Sequence, residues 1–117
     1  MDVYPREYEY MTYGSFTVDS TNAFSFDSTN LSPESGDFSG KKVQSVIMSV
    51  ETTNIRYRLD EDSDEVSSSE GMLLKTTDSP VAIRGYGNIS RLKIISTGAN
   101  ATLRVHFGYG GSSSKPV

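Results

Sequence analysis

The chain has no cysteine and no tryptophan, and a single histidine among its 117 residues. Without cysteine there is no disulfide and no thiolate metal site, and the redox compartment is left open. With His106 alone, a transition-metal site or a Ser-His-Asp triad would need carboxylates gathered from afar, so neither a cofactor site nor an enzyme is expected. No apolar run approaches the ~20 residues of a bilayer crossing. Met1-Asp2-Val3-Tyr4-Pro5 has neither the basic start nor the apolar stretch of a secretory signal, so no membrane partner is expected. A helical period is missing as well. Hydrophobic residues make up 35% of the chain and the mean hydropathy is -0.41, which bounds the protein to one domain with one modest core.

What is present is alternation. Val46, Met48 and Val50 share one parity with Gln44 and Ser49 on the other. Thr53, Ile55, Tyr57 and Leu59 alternate with Asn54, Arg56 and Arg58; Val81 and Ile83 with Ala82 and Arg84; Leu92 and Ile94 with Arg91 and Lys93. Leu103, Val105 and Phe107 alternate with Thr102, Arg104 and His106. A period of two is the mark of antiparallel strands that are dry on one side and wet on the other. Strands are expected near 43–50, 53–59, 72–75, 80–84, 89–96 and 101–108. The fold class expected is all-β: an antiparallel β-sandwich, with the jelly roll as candidate topology and an extended N-terminal arm. The expected organisation is an arm over 1–15, a sandwich over 16–108 and a flexible tail over 109–117.

Turn chemistry marks the joints. Asp19-Ser20-Thr21-Asn22 recurs as Asp27-Ser28-Thr29-Asn30, and Asp, Ser and Asn bond their own backbone. The two copies bracket a short strand at Phe24 and Phe26. Residues 32–40 are a loop rich in Ser, Gly and Pro, and 60–71 a polar excursion between two strands. Gly85-Tyr86-Gly87-Asn88 reads as a turn.

The net charge of -4 argues against nucleic acid as a partner. Its distribution is uneven. Residues 1–40 hold seven acids and one base, whereas 41–117 hold ten bases and eight acids, five of those acids within 60–65. Arg56, Arg58, Arg84, Arg91, Lys93 and Arg104 therefore make the wet parity basic. The acidic arm, with Tyr4, Tyr8, Tyr10 and Tyr13, is a complement to this face, within the chain or across a subunit boundary. Ile47 and Ile95 break the alternation by placing apolar side chains on the wet parity, the pattern of a patch where a sheet meets a partner. The expected protein-interface residues are thus Tyr4, Tyr8, Tyr10, Tyr13, Ile47, Arg56, Arg58, Arg91 and Ile95.

Asp60, Asp62 and Asp64 match the opening of an EF-hand loop, but the sixth position is Glu65 where Gly is needed and the twelfth is Gly71 where Glu is needed. A solvated hairpin loop is the better reading. The Gly-Tyr-Gly triplets at 85–87 and 108–110 lack the spacing of a phosphate loop and read as strand-end turns.

The order of the strands adds a resemblance. Lys42-Val43-Gln44-Ser45-Val46-Ile47-Met48-Ser49-Val50-Glu51 leads into Ile55-Arg56-Tyr57-Arg58-Leu59-Asp60. Gly71-Met72-Leu73-Leu74, Asn88-Ile89 through Ile94-Ile95, and Ala101-Thr102-Leu103-Arg104-Val105 follow. This order resembles small β-sandwich structural proteins of tailed bacteriophages over 43–107, and more loosely from Phe16. Where those proteins usually carry a short D-G-T-x-P turn, this chain has the acidic loop 60–65. The resemblance implies a non-enzymatic virion component, made in the host cytoplasm. A capsid cement or decoration protein heads the expectation, contacting the major capsid protein or other virion proteins and forming a homo-oligomer, dimer or trimer. The alternative is a head–tail or tail-associated binding domain, for glycan or receptor, with Tyr86 and Tyr109 as its platform.

Overall fold

A computed structural model describes residues 9–33 and 40–109, with side chains from Thr12 onward. Its strands are β1 (Glu9–Val18), β2 (Val43–Glu51), β3 (Ile55–Arg58), β4 (Met72–Leu74), β5 (Val81–Arg84), β6 (Lys93–Ser96) and β7 (Ala101–Tyr109). All pair antiparallel, in a four-stranded sheet of order β1-β7-β2-β5 and a three-stranded sheet of order β4-β3-β6. The all-β, two-sheet fold expected from the alternation is the fold observed.

The dry parity supplies the core between the sheets. Val46, Met48, Leu103, Val105, Ile55 and Ile94 are each no more than 1% exposed. Burying a side chain of this size contributes about 1.5–3 kcal/mol. Phe16, Phe24, Phe26 and Phe107 close the side where β1 lies over β6, with ring centroids 5.1–6.3 Å apart and mostly edge-to-face. The strand expected around Phe24 is reduced to one bridge: Phe24 N–H donates to Ile94 O at 2.7 Å and Ile94 N–H to Phe24 O at 2.9 Å. Both Asp turns form as the repeat implied. The Asp19 carboxylate accepts from the backbone of Thr21 and Asn22 at 2.8 and 2.7 Å. Asp27 caps the one-turn helix α1 (Ser28–Leu31), accepting from Asn30 N–H at 3.0 Å while Asn30 Oδ1 accepts from Asp27 N–H at 3.3 Å.

Three expectations are corrected. The arm over 1–15 is, from Glu9 onward, strand β1, because Phe16 and Val18 pack into the core and its ladder with β7 runs from Glu9–Tyr109 to Val18–Ala101; residues 1–8 lie outside the described residues. Tyr109, expected to open the tail, is instead the last residue of β7 and 8% exposed; residues 110–117 lie outside the described residues. The strand expected over 89–96 is split into α2 (Tyr86–Arg91) and β6. Gly85, at φ 95°, opens that helix, and Ile89 N–H donates to Gly85 O at 3.0 Å. Ile89 and Leu92, three apart, both turn into the core.

Candidate interaction surfaces

Of the basic parity, Arg56, Arg58 and Lys93 lie on the three-stranded sheet, where the acidic excursion folds onto them, whereas Arg84 and Arg104 lie on the four-stranded sheet and Arg91 on α2. In the ladder Arg56 lies opposite Leu73 on one side and Ile95 on the other, and Arg58 lies opposite Lys93. Arg56 Nε donates to Ser68 O at 3.1 Å and its Nη1 to Gly71 O at 2.9 Å, pinning the far end of the excursion. Arg58 makes a two-pronged contact with the Asp60 carboxylate at 3.0 and 2.6 Å, and Lys93 Nζ reaches Asp64 at 3.4 Å. The Arg58 hydrogen bond holds the Asp60 carboxyl down to a pKa of about 2. Between these anchors a 3₁₀ turn at Ser63–Glu65 leads to Val66, which is 6% exposed.

The complement of this basic face is therefore the 60–71 excursion of the same chain. Among the described residues Arg56 and Arg58 are engaged by their own chain, and Ile95 is 6% exposed, so these three expected contact residues are not a free surface. Arg91 is also committed, donating to Leu59 O and Asn88 Oδ1 at 3.1 Å each and tying α2 to the end of β3. Asp60, Asp62 and Asp64 do not converge: among the described residues no group of three acidic, His or Cys side chains is placed to hold a metal ion. An open cleft of about 450 Å³ lies between Arg58, Leu59, Asp60 and the start of β4, lined also by Glu70, Gly71 and Met72.

The outer face of the four-stranded sheet is built differently. Its ladders put Tyr13 opposite His106, His106 opposite Ile47, and Ile47 opposite Ala82, one row across all four strands. Tyr13 is 53% exposed, and its ring lies 5.2 Å from the His106 ring at a tilt of 59°. In the next row Arg104 stands opposite Ser15 and Ser49. Its Nη1 donates to the Tyr13 hydroxyl at 2.8 Å, and its Nε lies 3.0 Å from Glu51 Oε2 as an ion pair without hydrogen-bond alignment. The Tyr13 hydroxyl first, and Glu51 second, hold the guanidinium more firmly charged than usual. Ser15, Thr17, Ser49 and Thr102 add small uncharged side chains to this face, and Arg84, opposite Ser45 on β5, adds a second cation beside Arg104.

Tyr13 and Ile47 are thus brought onto one row. Tyr4 and Tyr8 lie outside the described residues, and of Tyr10 only the backbone pairing with Gly108 is described. His106, on the wet parity of β7, stands between Tyr13 and Ile47 in the row. Parity alone puts His106 and Ile47 on wet sides, but the register that joins them across strands has no local signal. Tyr86 and Tyr109 do not form a loop platform: Tyr109 is buried and donates to Asn30 O at 3.0 Å, and Tyr86 is half-buried with Lys42 Nζ 4.9 Å from its ring centroid. Met72 and Leu73, on edge strand β4, are 63% and 40% exposed. Among the described residues no helix is long and apolar enough to cross a membrane.

No family model, curated protein or solved structure matches this chain.

Proposed function

We propose that this chain is a non-enzymatic structural protein of a bacteriophage particle, a capsid cement or decoration protein that docks on the shell through the outer face of its four-stranded sheet. The observation that carries this reading is the Tyr13–His106–Ile47–Ala82 row. A face built mostly of small uncharged side chains with an exposed aromatic on its edge strand suits contact with another folded protein, where aromatic anchors carry most of the binding energy. Such contacts, repeated by the symmetry of a shell, add up without any single one being strong.

Two further features favour the reading. The strand order of residues 43–107 resembles that of small virion proteins of tailed phages. The topology also fits a jelly roll whose eighth strand is shortened to the Phe24 bridge: the sheet orders become β1-β7-β2-β5 and Phe24-β6-β3-β4. This arrangement recurs in viral capsid and lectin domains. Tyr13 beside the Arg104–Glu51 pair favours the second reading, a tail-associated glycan-binding domain, because a ring face flanked by planar hydrogen-bonding groups suits a sugar.

The test is co-sedimentation of the purified protein with particles lacking it, next to Tyr13→Ala and Ile47→Glu. The expected result is saturable binding at a copy number near that of the capsid subunits, weakened at least tenfold by either substitution. Binding at a few copies per particle would move the protein to the head–tail junction or tail. No binding, with a positive glycan screen that Tyr13→Ala abolishes, would replace the cement reading by the second one.

A further inference from the structure

The two sheets end in four edges, and three of them are short or covered. Beside β6, Phe24 bridges Ile94, and Ser96 N–H donates to Asp19 O at 2.9 Å. Edge strands β5 and β4 have four and three residues. The fourth edge is β1, ten residues long, and among the described residues no strand or loop pairs with its outward side. A long open edge presents a row of unpaired N–H and C=O groups, and proteins usually blunt such an edge with Lys, Pro or a bulge. Here the one register shift falls between Tyr10 and Thr12. From Thr12 to Val18 the ladder runs without interruption, and this stretch, Thr-Tyr-Gly-Ser-Phe-Thr-Val, has neither charge nor proline.

We infer that β1 pairs antiparallel with β1 of a second copy, about a two-fold axis beside Ser15, to give one continuous eight-stranded sheet. The occupant follows from the self-complementarity of this stretch. Ser15 is its midpoint, so antiparallel pairing there uses all seven residues, and residues of like parity meet, as a shared face requires. Tyr13 then faces the partner's Thr17, an aromatic against a β-branched residue. Thr12 faces the partner's Val18, and Gly14 faces the partner's Phe16. Aromatic over β-branched is a favourable cross-strand pair, and no like charges are set opposite each other. The same pairing lays two Tyr13–His106–Ile47–Ala82 rows side by side on one surface. The inference stands on the edge itself and does not rest on what that surface binds.

Because the chain has no cysteine, single cysteines report the register directly. Across the axis Ser15 meets the partner's Ser15 with Cβ atoms about 4.5–5.5 Å apart, within small adjustment of a disulfide. Two Thr17 side chains would sit four residues out of step, roughly 14 Å apart. Under mild oxidation Ser15→Cys should cross-link rapidly and Thr17→Cys should not. In sedimentation velocity the unmodified chain should show a concentration-dependent dimer. Ser15→Lys and Ser15→Glu, folded by circular dichroism, should each be monomeric, and an equimolar mixture of the two should dimerise again. A wild-type chain that stays monomeric up to about 1 mM, or equal cross-linking of the two cysteine variants, overturns the inference.

Discussion

Arg56 Nη1 donates to the carbonyl oxygen of Gly71 at 2.9 Å, across fifteen residues of chain. The contact turns what the sequence presents as an exposed basic face into the floor beneath an acidic excursion. Arg56 rises from the centre of β3, and the same guanidinium also holds Ser68 O. Hydrogen bonds from a charged donor are stronger than neutral ones, and two in a fixed fork restrict the loop more than a point charge does.

Removing that fork should free the excursion. Arg56→Ala is expected to lower stability by roughly 1–3 kcal/mol, read by urea unfolding. Amide exchange over 63–71 should accelerate more than exchange in β2 and β7. Arg56→Lys should recover only part of the loss, since an ammonium cannot reach both carbonyls with the same geometry. Unchanged exchange in the excursion of Arg56→Ala would show that something else holds it.

Gly71 carries a second constraint. Its φ is 129°, and an added Cβ would lie 3.0 Å from Val66 Cγ2 and 3.1 Å from Tyr57 O. Gly71→Ala combines backbone strain with contact against a fixed carbonyl, and should cost about 1–3 kcal/mol. Gly40 is the control: its φ is 82° but among the described residues nothing lies within 4 Å of the added atom. Gly40→Ala should cost about 1 kcal/mol, the backbone term alone. Equal losses at the two sites would remove the steric part of the explanation.

Asp60 sets a pH dependence of definite sign. Its carboxyl is held down to about 2 by Arg58, below the roughly 3.9 of an unfolded aspartate. A lowered folded-state pKa means that the Arg58–Asp60 contact contributes fully above pH ~4 and is lost as the pH falls toward ~2. Asp19 and Asp27 are shifted the same way, Asp19 by the backbone N–H groups of Asn22 and Thr21, and Asp27 by the Thr29 hydroxyl and the Asn30 N–H. Carboxyl NMR should place the Asp60 midpoint near 2, and Arg58→Ala should move it up toward the unfolded value. A midpoint for Asp60 that ignores Arg58 would mean the pair does not persist in solution.

Much of the fold was readable from local pattern, for reasons that particular residues make plain. Val46-Ile47-Met48-Ser49-Val50 and Leu103-Arg104-Val105-His106-Phe107 alternate because a strand between solvent and core has no other economical sequence. The two Asp turns were readable because the carboxylate closes on N–H groups two and three residues on. Helix α2 was missed because Leu92 and Ile94 alternate with Arg91 and Lys93, and that strand was extended back over Ile89, which lies on the opposite parity. The decisive feature is Gly85, whose positive φ starts a helix where a strand would otherwise continue. Of the expected contact residues, the register unites Tyr13 and Ile47, while Arg56, Arg58 and Ile95 lie on the opposite sheet beneath or beside the excursion.

The sequence by itself determined that this is an all-β domain, where most of its strands and turns lie, and which parity of each strand is dry. These are consequences of bonding and burial within a few consecutive residues. Only the tertiary structure decided which wet positions stand together. Cross-strand register joins Tyr13 to His106 over 93 residues of chain, and the fold of the 60–71 excursion decides that Arg56 and Arg58 meet their own chain first. A surface is made by neighbours in space, and alternation along one strand does not say which strand lies beside it.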